Sequence, residues 1–311
     1  MKISELGGEF AFIERIKRKS KNSDVIVDIG DDCAVVRKDE KNCFLYTTDM
    51  LIEGDHFSLD YFKGEEIGIK AMESNVSDIA AMGGKVLYGF ISLALKSNTT
   101  VDLVDSLYKG IYEISDRYNF EIIGGDTTHS EKMVVSITLI GEVERRNLKL
   151  RSYAEEGDLI VSSGPLGGST AGLRLFLKGI KGYNNVKKYH TNPKSQMENI
   201  DKIIPIAKAM EDVSDGLASE VRNICKMSQT GAIIYKDKIP LSKGIRKAAE
   251  FLGDDPYDYA LFGGEDFQLV YTVSSENKNK IFGKVVGEII KGKKIYLDNE
   301  QLIDFGYDHF K

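Results

Sequence analysis

The sequence has little of what would mark a secreted, membrane-bound or nucleic-acid-binding protein. Its three cysteines show no CxxC spacing, which argues against a disulfide framework or a thiolate metal site. No apolar run approaches the roughly 18 residues that a membrane span needs, and residues 1–5 lack the basic-then-apolar pattern of a signal peptide. A net charge of −6 argues against nucleic-acid binding. We therefore expect a cytoplasmic protein that binds neither membrane nor nucleic acid.

The chain of 311 residues, 42% of them apolar, is long enough for two globular domains. A polar stretch at 144–157 separates two halves, so we place the domains at 1–145 and 146–311. Within both halves, short apolar runs alternate with helical periodicity, which predicts an α/β (α+β) fold. Helices are expected over 65–82 and 101–118, from after Ser169 through Leu177, and over about 214–227. The Lys-, Asn- and Tyr-rich residues 179–196 are predicted to form a surface loop or a mobile flap.

Acidic residues beside Gly, Ser or Thr recur through the first 270 residues. This arrangement favours tight turns or helix starts. A lone aspartate in such a place is usually a turn residue or an N-cap, and only the joint occurrence indicates hard oxygen ligands for a divalent metal. The motifs are Gly30-Asp31-Asp32, Thr47-Thr48-Asp49, Ser77-Asp78, Gly124-Gly125-Asp126, Asp212-Val213-Ser214-Asp215 and Gly263-Gly264-Glu265-Asp266.

The sequence also lacks the P-loop GxxxxGK[ST], in which a lysine neutralises nucleotide phosphates. The nearest stretch is Gly164–Thr170, which has no lysine but whose backbone could hold a phosphate at a helix start. It could equally be a strand-to-helix turn that needs glycine. Several Mg²⁺ ions held by carboxylates would replace the missing lysine, because each ion needs only a few protein oxygens.

Taken together, these motifs resemble the thiamine-monophosphate kinase family, in a superfamily with aminoimidazole-ribonucleotide synthetase and selenophosphate synthetase. The resemblance runs from Gly8-Glu9-Phe10 to Gly306-Tyr307-Asp308-His309-Phe310 and includes Asn75–Gly83 and Arg151-Ser152. Each motif is weak alone, but their order and spacing together are specific.

The resemblance implies ATP-dependent, in-line phosphorylation of thiamine monophosphate to thiamine diphosphate without a phosphoenzyme. It also implies an N-terminal mixed sheet that pairs with its twin in a homodimer, a C-terminal α/β domain, and an active site between them. The attacking phosphate oxygen is already ionised at neutral pH, so no strong general base is expected.

Residue roles follow from the same resemblance. Mg²⁺ would be held by Asp32, Thr47, Thr48, Asp49, Asp78, Asp126, Asp212 and Asp215. ATP would be contacted by Gly125, Asp126, Arg151 and Ser214. The thiamine substrate would be contacted by His56, Glu265 and Tyr307, with Glu265 facing a cationic ring and Tyr307 stacking on the pyrimidine. The sequence identifies no residue that contacts adenine, and no catalytic residue beyond the metal ligands and Arg151.

Two other functions stay open. Another ATP-using enzyme of the superfamily would have a different substrate pocket; selenophosphate synthetase is disfavoured because no Cys precedes Cys33. A non-catalytic nucleotide or metal sensor would bind ATP and metal without turnover. A structural Ca²⁺ protein is disfavoured, since EF-hand ligands lie in one short loop, whereas these are spread along the chain.

Overall fold

The structure is a computed structural model that describes residue 5, residues 8–303 and residue 306. A short helix, α1 (Glu9–Ile16), precedes the first sheet. That sheet has six strands in the order β1-β2-β3-β6-β4-β5, and all neighbours are antiparallel except β4 and β5. Its strands are β1 (Val25–Val27), β2 (Ala34–Arg37), β3 (Asn42–Ile52), β4 (Lys85–Leu95), β5 (Glu121–His129) and β6 (Val134–Glu144).

Two long helices, α2 (Gly64–Ala81) and α3 (Val101–Tyr118), pack against each other, and α2 also contacts β3 and β6. Glycines allow the two helices to approach closely. A Cβ at Gly68 would lie 2.2 Å from the Leu107 carbonyl oxygen, and one at Gly110 would lie 2.1 Å from that of Glu65. The close packing makes α2 a rigid element, with most of its side chains buried.

The other face of the first sheet is more open. Along β3, Cys43, Leu45 and Thr47 are buried, whereas Tyr46 and Met50 are exposed, as expected for a strand covered on one side. Exposed apolar side chains continue on β4 and β5. This open face is defined by Tyr46, Met50, Tyr88 and Ile123.

The second half contains a seven-stranded sheet in the order β13-β12-β9-β11-β7-β10-β8. Its strands are β7 (Leu159–Ser162), β8 (Met210–Asp212), β9 (Gly231–Ile234), β10 (Leu269–Val273), β11 (Lys284–Ile290), β12 (Ile295–Leu297) and β13 (Glu300–Gln301). Its helices are α4 (Gly168–Leu177), α5 (Asn184–Thr191), α6 (Ile200–Ile203), α7 (Leu217–Ser228), α8 (Ile245–Leu252) and α9 (Pro256–Phe262), with short 3₁₀ turns that include Arg151–Tyr153.

One hydrophobic core joins the two halves. It contains Ile67 and Val76 of α2 together with Met210 of β8 and Tyr271 of β10. Helix α2 therefore lies between the two sheets. Near its contact with β8, its side chains pack against both sheets. The mixed α/β architecture with two sheets confirms the predicted fold class. In the described part of the chain, no helix combines the length and apolarity that crossing a membrane requires.

Two local expectations were wrong. Thr47–Asp49 and Gly124–Asp126 lie inside the strands β3 and β5 rather than at turns, whereas Ser77-Asp78 lies in α2, within the helix expected over 65–82. Within 179–196, the structure has the helix α5, in which Val186 and His190 are buried, so this part is not a surface flap. A polar composition suggested a loop, but a few apolar residues at helical spacing attach it to α4.

Candidate active site

Three carboxylates from separate elements meet where α2 approaches β8. Asp32 precedes β2, Asp78 belongs to α2 and Asp212 ends β8. One oxygen from each lies within 4.8 Å of the others, and Asp212 is buried. We call Asp32, Asp78 and Asp212 the acidic cluster. Among the residues that the structure describes, these three are the only His, Cys, Asp or Glu side chains that come together closely enough in a group of at least three to hold one ion.

Hydroxyl and amide groups orient the acidic cluster. The Thr47 hydroxyl donates to Oδ2 of Asp78, and the Ser77 hydroxyl donates to Oδ2 of Asp212 over 2.7 Å. The backbone N–H of Asp49 donates to Oδ1 of Asn75 over 3.1 Å, which fixes β3 against α2. The polar residues inside β3 and α2 thus face one another across the contact between the strand and the helix.

Arg151 is the cation that pairs with this region. Its Nη2 contacts Oδ1 of Asp32 and lies 2.9 Å from Oε1 of Glu211, while its backbone N–H donates to Oδ2 of Asp31 over 3.2 Å. Its side chain is 18% exposed, so these pairs are largely shielded from water. Arg151 ties the segment before β7 to the first sheet and to β8.

One arginine does not balance the buried negative charge. Burial raises the pKa of Asp78 and Asp212 well above the ordinary aspartate value, and neighbouring carboxylates raise both pKa values further. The pKa of Asp49 is also raised, chiefly by burial. Oδ2 of Asp32 and Oε2 of Glu211 are buried and have no hydrogen-bond partner. Clustered hard oxygens with unmet bonding capacity are what a divalent ion such as Mg²⁺ would satisfy.

Two acidic residues of this region were missed from the sequence. Glu211 pairs with Arg151, and Glu220 of α7 accepts the Asp215 backbone N–H over 2.7 Å. Burial and the nearby Asp215 raise the pKa of Glu220 to about 8. Asn223 connects the two by donating to Oε1 of Glu211 over 2.9 Å and, more weakly, to Glu220. The signal that could have found Glu211 is its position directly before Asp212.

A second polar group lies farther along α2. Lys70 contacts Oε1 of Glu265 at 2.7 Å and donates to the His56 carbonyl oxygen over 2.7 Å. The Nδ1 atom of His190 lies 3.5 Å from Oε2 of Glu265 and 3.0 Å from the Ser169 hydroxyl. We call Lys70, Glu265 and His190 the lysine cluster. The structure thus connects His56 and Glu265, the two predicted substrate residues that it describes, through a lysine that sequence reasoning missed.

Two of the predicted ligands lie away from the acidic cluster. Asp126 is exposed on the edge strand β5, and the register joins it through β4 and β6 to Met50, about 14 Å across the sheet at the usual strand spacing. Paired residues of neighbouring strands point to the same side, so Asp126 shares the open face with Met50. The Thr48 hydroxyl also lies toward this face, where it accepts from Thr138 over 3.0 Å.

Gly125 and Ser214, the two predicted backbone contacts to the nucleotide, also lie at different sheets. Gly125 lies on β5, where a Cβ would meet the Ile91 carbonyl oxygen at 1.8 Å, so backbone packing alone accounts for the glycine. Ser214 follows β8, and its carbonyl oxygen accepts the Glu265 N–H over 2.8 Å. Tyr307 lies outside the described residues.

The Gly-rich turn before α4 does not present a free helix start. The buried carboxylate of Asp266 accepts the backbone N–H of Gly167 and, over 3.1 Å, that of Ser169. Burial raises the pKa of Asp266 to about 7. The internal carboxylate occupies the position that a phosphate would take, so the structure supports the turn interpretation of Gly164–Thr170.

Known proteins resemble the chain along its whole length. The family models described as AIR synthase related protein, N-terminal domain and C-terminal domain match residues 30–143 and 155–298. A thiamine-monophosphate kinase of Aquifex aeolicus is 36% identical over 100% of both chains. One of Bacillus subtilis is 37% identical over 86% of this chain and 84% of its own.

Solved structures agree with these similarities. The structure described as AaThiL complexed with AMPPCP and TMP superposes with a TM-score of 0.91 at 34% identity, covering 99% of each chain. A thiamine monophosphate kinase structure from Aquifex aeolicus gives a TM-score of 0.84 at 33% identity, over 97% of this chain and 99% of its own.

Proposed function

The chain belongs to the thiamine-monophosphate kinase family, and on that premise we propose that it transfers the γ-phosphoryl group of ATP to thiamine monophosphate, giving thiamine diphosphate and ADP. The observation that carries this proposal is the acidic cluster, where three carboxylates from both halves of the chain converge and Oδ2 of Asp32 has no hydrogen-bond partner. A kinase without a P-loop lysine needs such a group beside the phosphates.

Mg²⁺ would be held by the acidic cluster together with Asp49, Asp215 and the Thr47 hydroxyl. A bound ion would neutralise phosphate charge as the phosphoryl group moves. The chain's own contribution is orientation, since Thr47 and Ser77 fix the carboxylates of Asp78 and Asp212 before any ligand arrives. Thr48 and Asp126 remain proposed ligands, although within a single chain both lie away from the acidic cluster.

Arg151 forms ion pairs within the protein. It holds Asp32 and Glu211, and its Nε, which is buried, has no hydrogen-bond partner. A triphosphate that approached would compete with Asp32 and Glu211 for the guanidinium. We propose that Arg151 exchanges between these carboxylates and ATP, with Gly125 and Ser214 supplying backbone contacts to the nucleotide.

The substrate side needs no proton acceptor, because a phosphate monoester is already ionised at neutral pH. In keeping with this, the buried histidine nearest Glu265 is a poor base: burial and Lys70 lower the pKa of His190 to about 3. His56 and Glu265 would contact the thiamine part of the substrate, and Tyr307 would complete that pocket. Transfer would then be direct and in line.

We also propose a homodimer formed through the open face of the first sheet. Four exposed apolar side chains, Tyr46, Met50, Tyr88 and Ile123, lie on that sheet, whose edge strand β5 is exposed as well. Exposed apolar surface of this kind is typical of an interface. The domains would be residues 1–145 and 146–311, consistent with the division into two sheets, and the location cytoplasmic.

The decisive experiment measures ADP release from ATP and Mg²⁺ with and without thiamine monophosphate while thiamine diphosphate is followed directly. We expect release that requires thiamine monophosphate and matches diphosphate formation one for one. Thiamine and an aminoimidazole ribonucleotide precursor serve as controls. Metal-dependent ATP binding without turnover would instead indicate a sensor, and turnover with the aminoimidazole control would indicate another superfamily enzyme.

Sedimentation tests the dimer separately. We expect the wild-type chain to sediment as a dimer and Met50→Asp to shift it toward monomer, because a charge would be placed inside an apolar contact. Glu276→Lys, on the 3₁₀ turn Ser275–Lys280 of the second half, is the control and should leave the dimer intact. A monomeric wild-type chain at assay concentrations would reject the interface.

A further inference from the structure

Lys70 is a charged residue in an almost fully buried position. Its side chain is 1% exposed, and it belongs to α2, among the apolar residues of the core between the sheets. Its ammonium group contacts Oε1 of Glu265 at 2.7 Å and donates to the His56 carbonyl oxygen over 2.7 Å. A group this buried cannot touch a substrate in the cleft. Both of its polar contacts, however, are residues of the proposed thiamine pocket.

Glu265 needs to be held in place. Its backbone is left-handed, with φ 61°, which residues other than glycine rarely adopt. The adjacent Gly264 packs so closely that a Cβ there would lie 1.8 Å from the Ser214 carbonyl oxygen. The Glu265 side chain is 28% exposed, and Lys70 holds its Oε1 while His190 lies beside its Oε2.

The neighbours of Glu265 explain why it stays ionised. Burial alone would raise the pKa of this carboxyl, but the positive charge of Lys70 holds the pKa below its usual value. Without Lys70, the carboxylate would lose its charge or turn toward solvent, because an unpaired buried charge is strongly unfavourable.

We propose that Lys70 is a positioning residue for thiamine monophosphate: it fixes the ionised Glu265 toward the cationic part of the substrate and joins that residue to the His56 segment of the other half. This inference rests on the proposed function. It also gives the Glu265 carboxylate a different role in recognition. Recognition of the thiazolium then depends on a pre-oriented carboxylate of a neutral ion pair, rather than on a free negative charge.

The test is steady-state kinetics of Lys70→Met, which removes the charge and keeps a similar length. We expect KM for thiamine monophosphate to rise by at least about tenfold, while KM for ATP changes by less than about twofold. Lys149→Met is the matched control: Lys149 is also buried, and its Nζ donates to the Ala207 carbonyl oxygen over 2.8 Å, away from the proposed substrate residues. Lys149→Met should leave both KM values unchanged.

A second comparison keeps the inference testable if Lys70→Met does not fold. The double variant Lys70→Met/Glu265→Gln removes both charges, and such replacements of buried pairs are usually tolerated. Its KM for thiamine monophosphate should match that of Glu265→Gln alone within about threefold, because Lys70 acts through Glu265. An unchanged KM in Lys70→Met, or a much higher KM in the double variant than in Glu265→Gln, overturns the inference. A wild-type chain without thiamine-monophosphate-dependent ADP release instead rejects the proposed function, and the two failures are therefore distinct.

Discussion

The acidic cluster and the lysine cluster both involve helix α2, yet their charge balance is opposite. Around the lysine cluster, Lys70 and Glu265 form a one-to-one pair beside a neutral His190. Around the acidic cluster, Arg151 faces several carboxylates, and some of their oxygens have no partner. A balanced pair is complete as folded. An unbalanced group gains from added cations, so the comparison supports the two proposed roles: positioning of substrate by the lysine cluster and binding of metal by the acidic cluster.

The largest expected effect comes from removing charge within the acidic cluster. Asp212→Asn keeps the size of the side chain but lowers the charge available to metal, so we expect the rate to fall by at least about a hundredfold. Turnover at saturating Mg²⁺ and ATP measures this, with Asp105→Asn on the exposed side of α3 as control. A near-normal rate for Asp212→Asn would reduce the acidic cluster to a structural feature.

Removing the cation of the same region should cost stability. Arg151→Met leaves Asp32 and Glu211 buried without their partner, and breaking a buried pair typically lowers the free energy of unfolding by about 3–5 kcal/mol. Urea denaturation without divalent metal measures the change. Arg146→Met is the control: Arg146 pairs with Glu144 on the surface, where the loss should stay below about 1 kcal/mol. Equal losses in the two variants would contradict the conclusion that Arg151 compensates buried negative charge.

A smaller effect is expected from Mg²⁺ itself, and it should depend on pH. The pKa values of Asp78 and Asp212 are raised in the folded chain. Protonation of these two carboxyls therefore stabilises the fold, and this contribution is complete when the pH lies below about 4, the aspartate pKa in the unfolded chain. That stability is lost as pH rises toward the folded values. Metal requires the ionised ligands, so its stabilising effect should grow with pH.

Thermal unfolding with Mg²⁺ or with a chelator, at about pH 5.5 and about pH 8.5, measures this dependence. At a hundredfold excess over Kd, binding stabilises by about 2.7 kcal/mol, and we expect less than half of that at the lower pH. Asp212→Asn should remove most of the difference. A shift in Tm that is the same at both pH values would place the metal elsewhere.

Sequence periodicity predicted the long helices well because their ends carry local signals. The range 101–118 agrees with α3, where the Thr100 hydroxyl accepts the Leu103 N–H and Asn119 adopts a left-handed conformation after the last turn. Such signals involve residues a few positions apart and can be read without knowing the fold.

The polar interior of the site could not be read in the same way. Glycine, serine and threonine beside aspartate predicted turns, yet Thr47–Asp49 lies in the middle of β3, where its partner Asn75 comes from α2. Lys70 resembled any polar residue of an amphipathic helix until the structure placed Glu265 against it. Contacts between distant parts of the chain decide these roles, and local spacing carries no information about them.

Helix α2 also fixes the distance between the lysine cluster and the acidic cluster. Lys70 and Asp78 are eight residues apart, which in an α-helix is about 12 Å along the axis. Inserting or deleting one residue between them would change that length by about 1.5 Å and turn one group by about 100° relative to the other. Close packing of Gly68 against α3 leaves little room to absorb such a change. A change of length would therefore move the lysine cluster out of register with the acidic cluster, even if every side chain of both were kept.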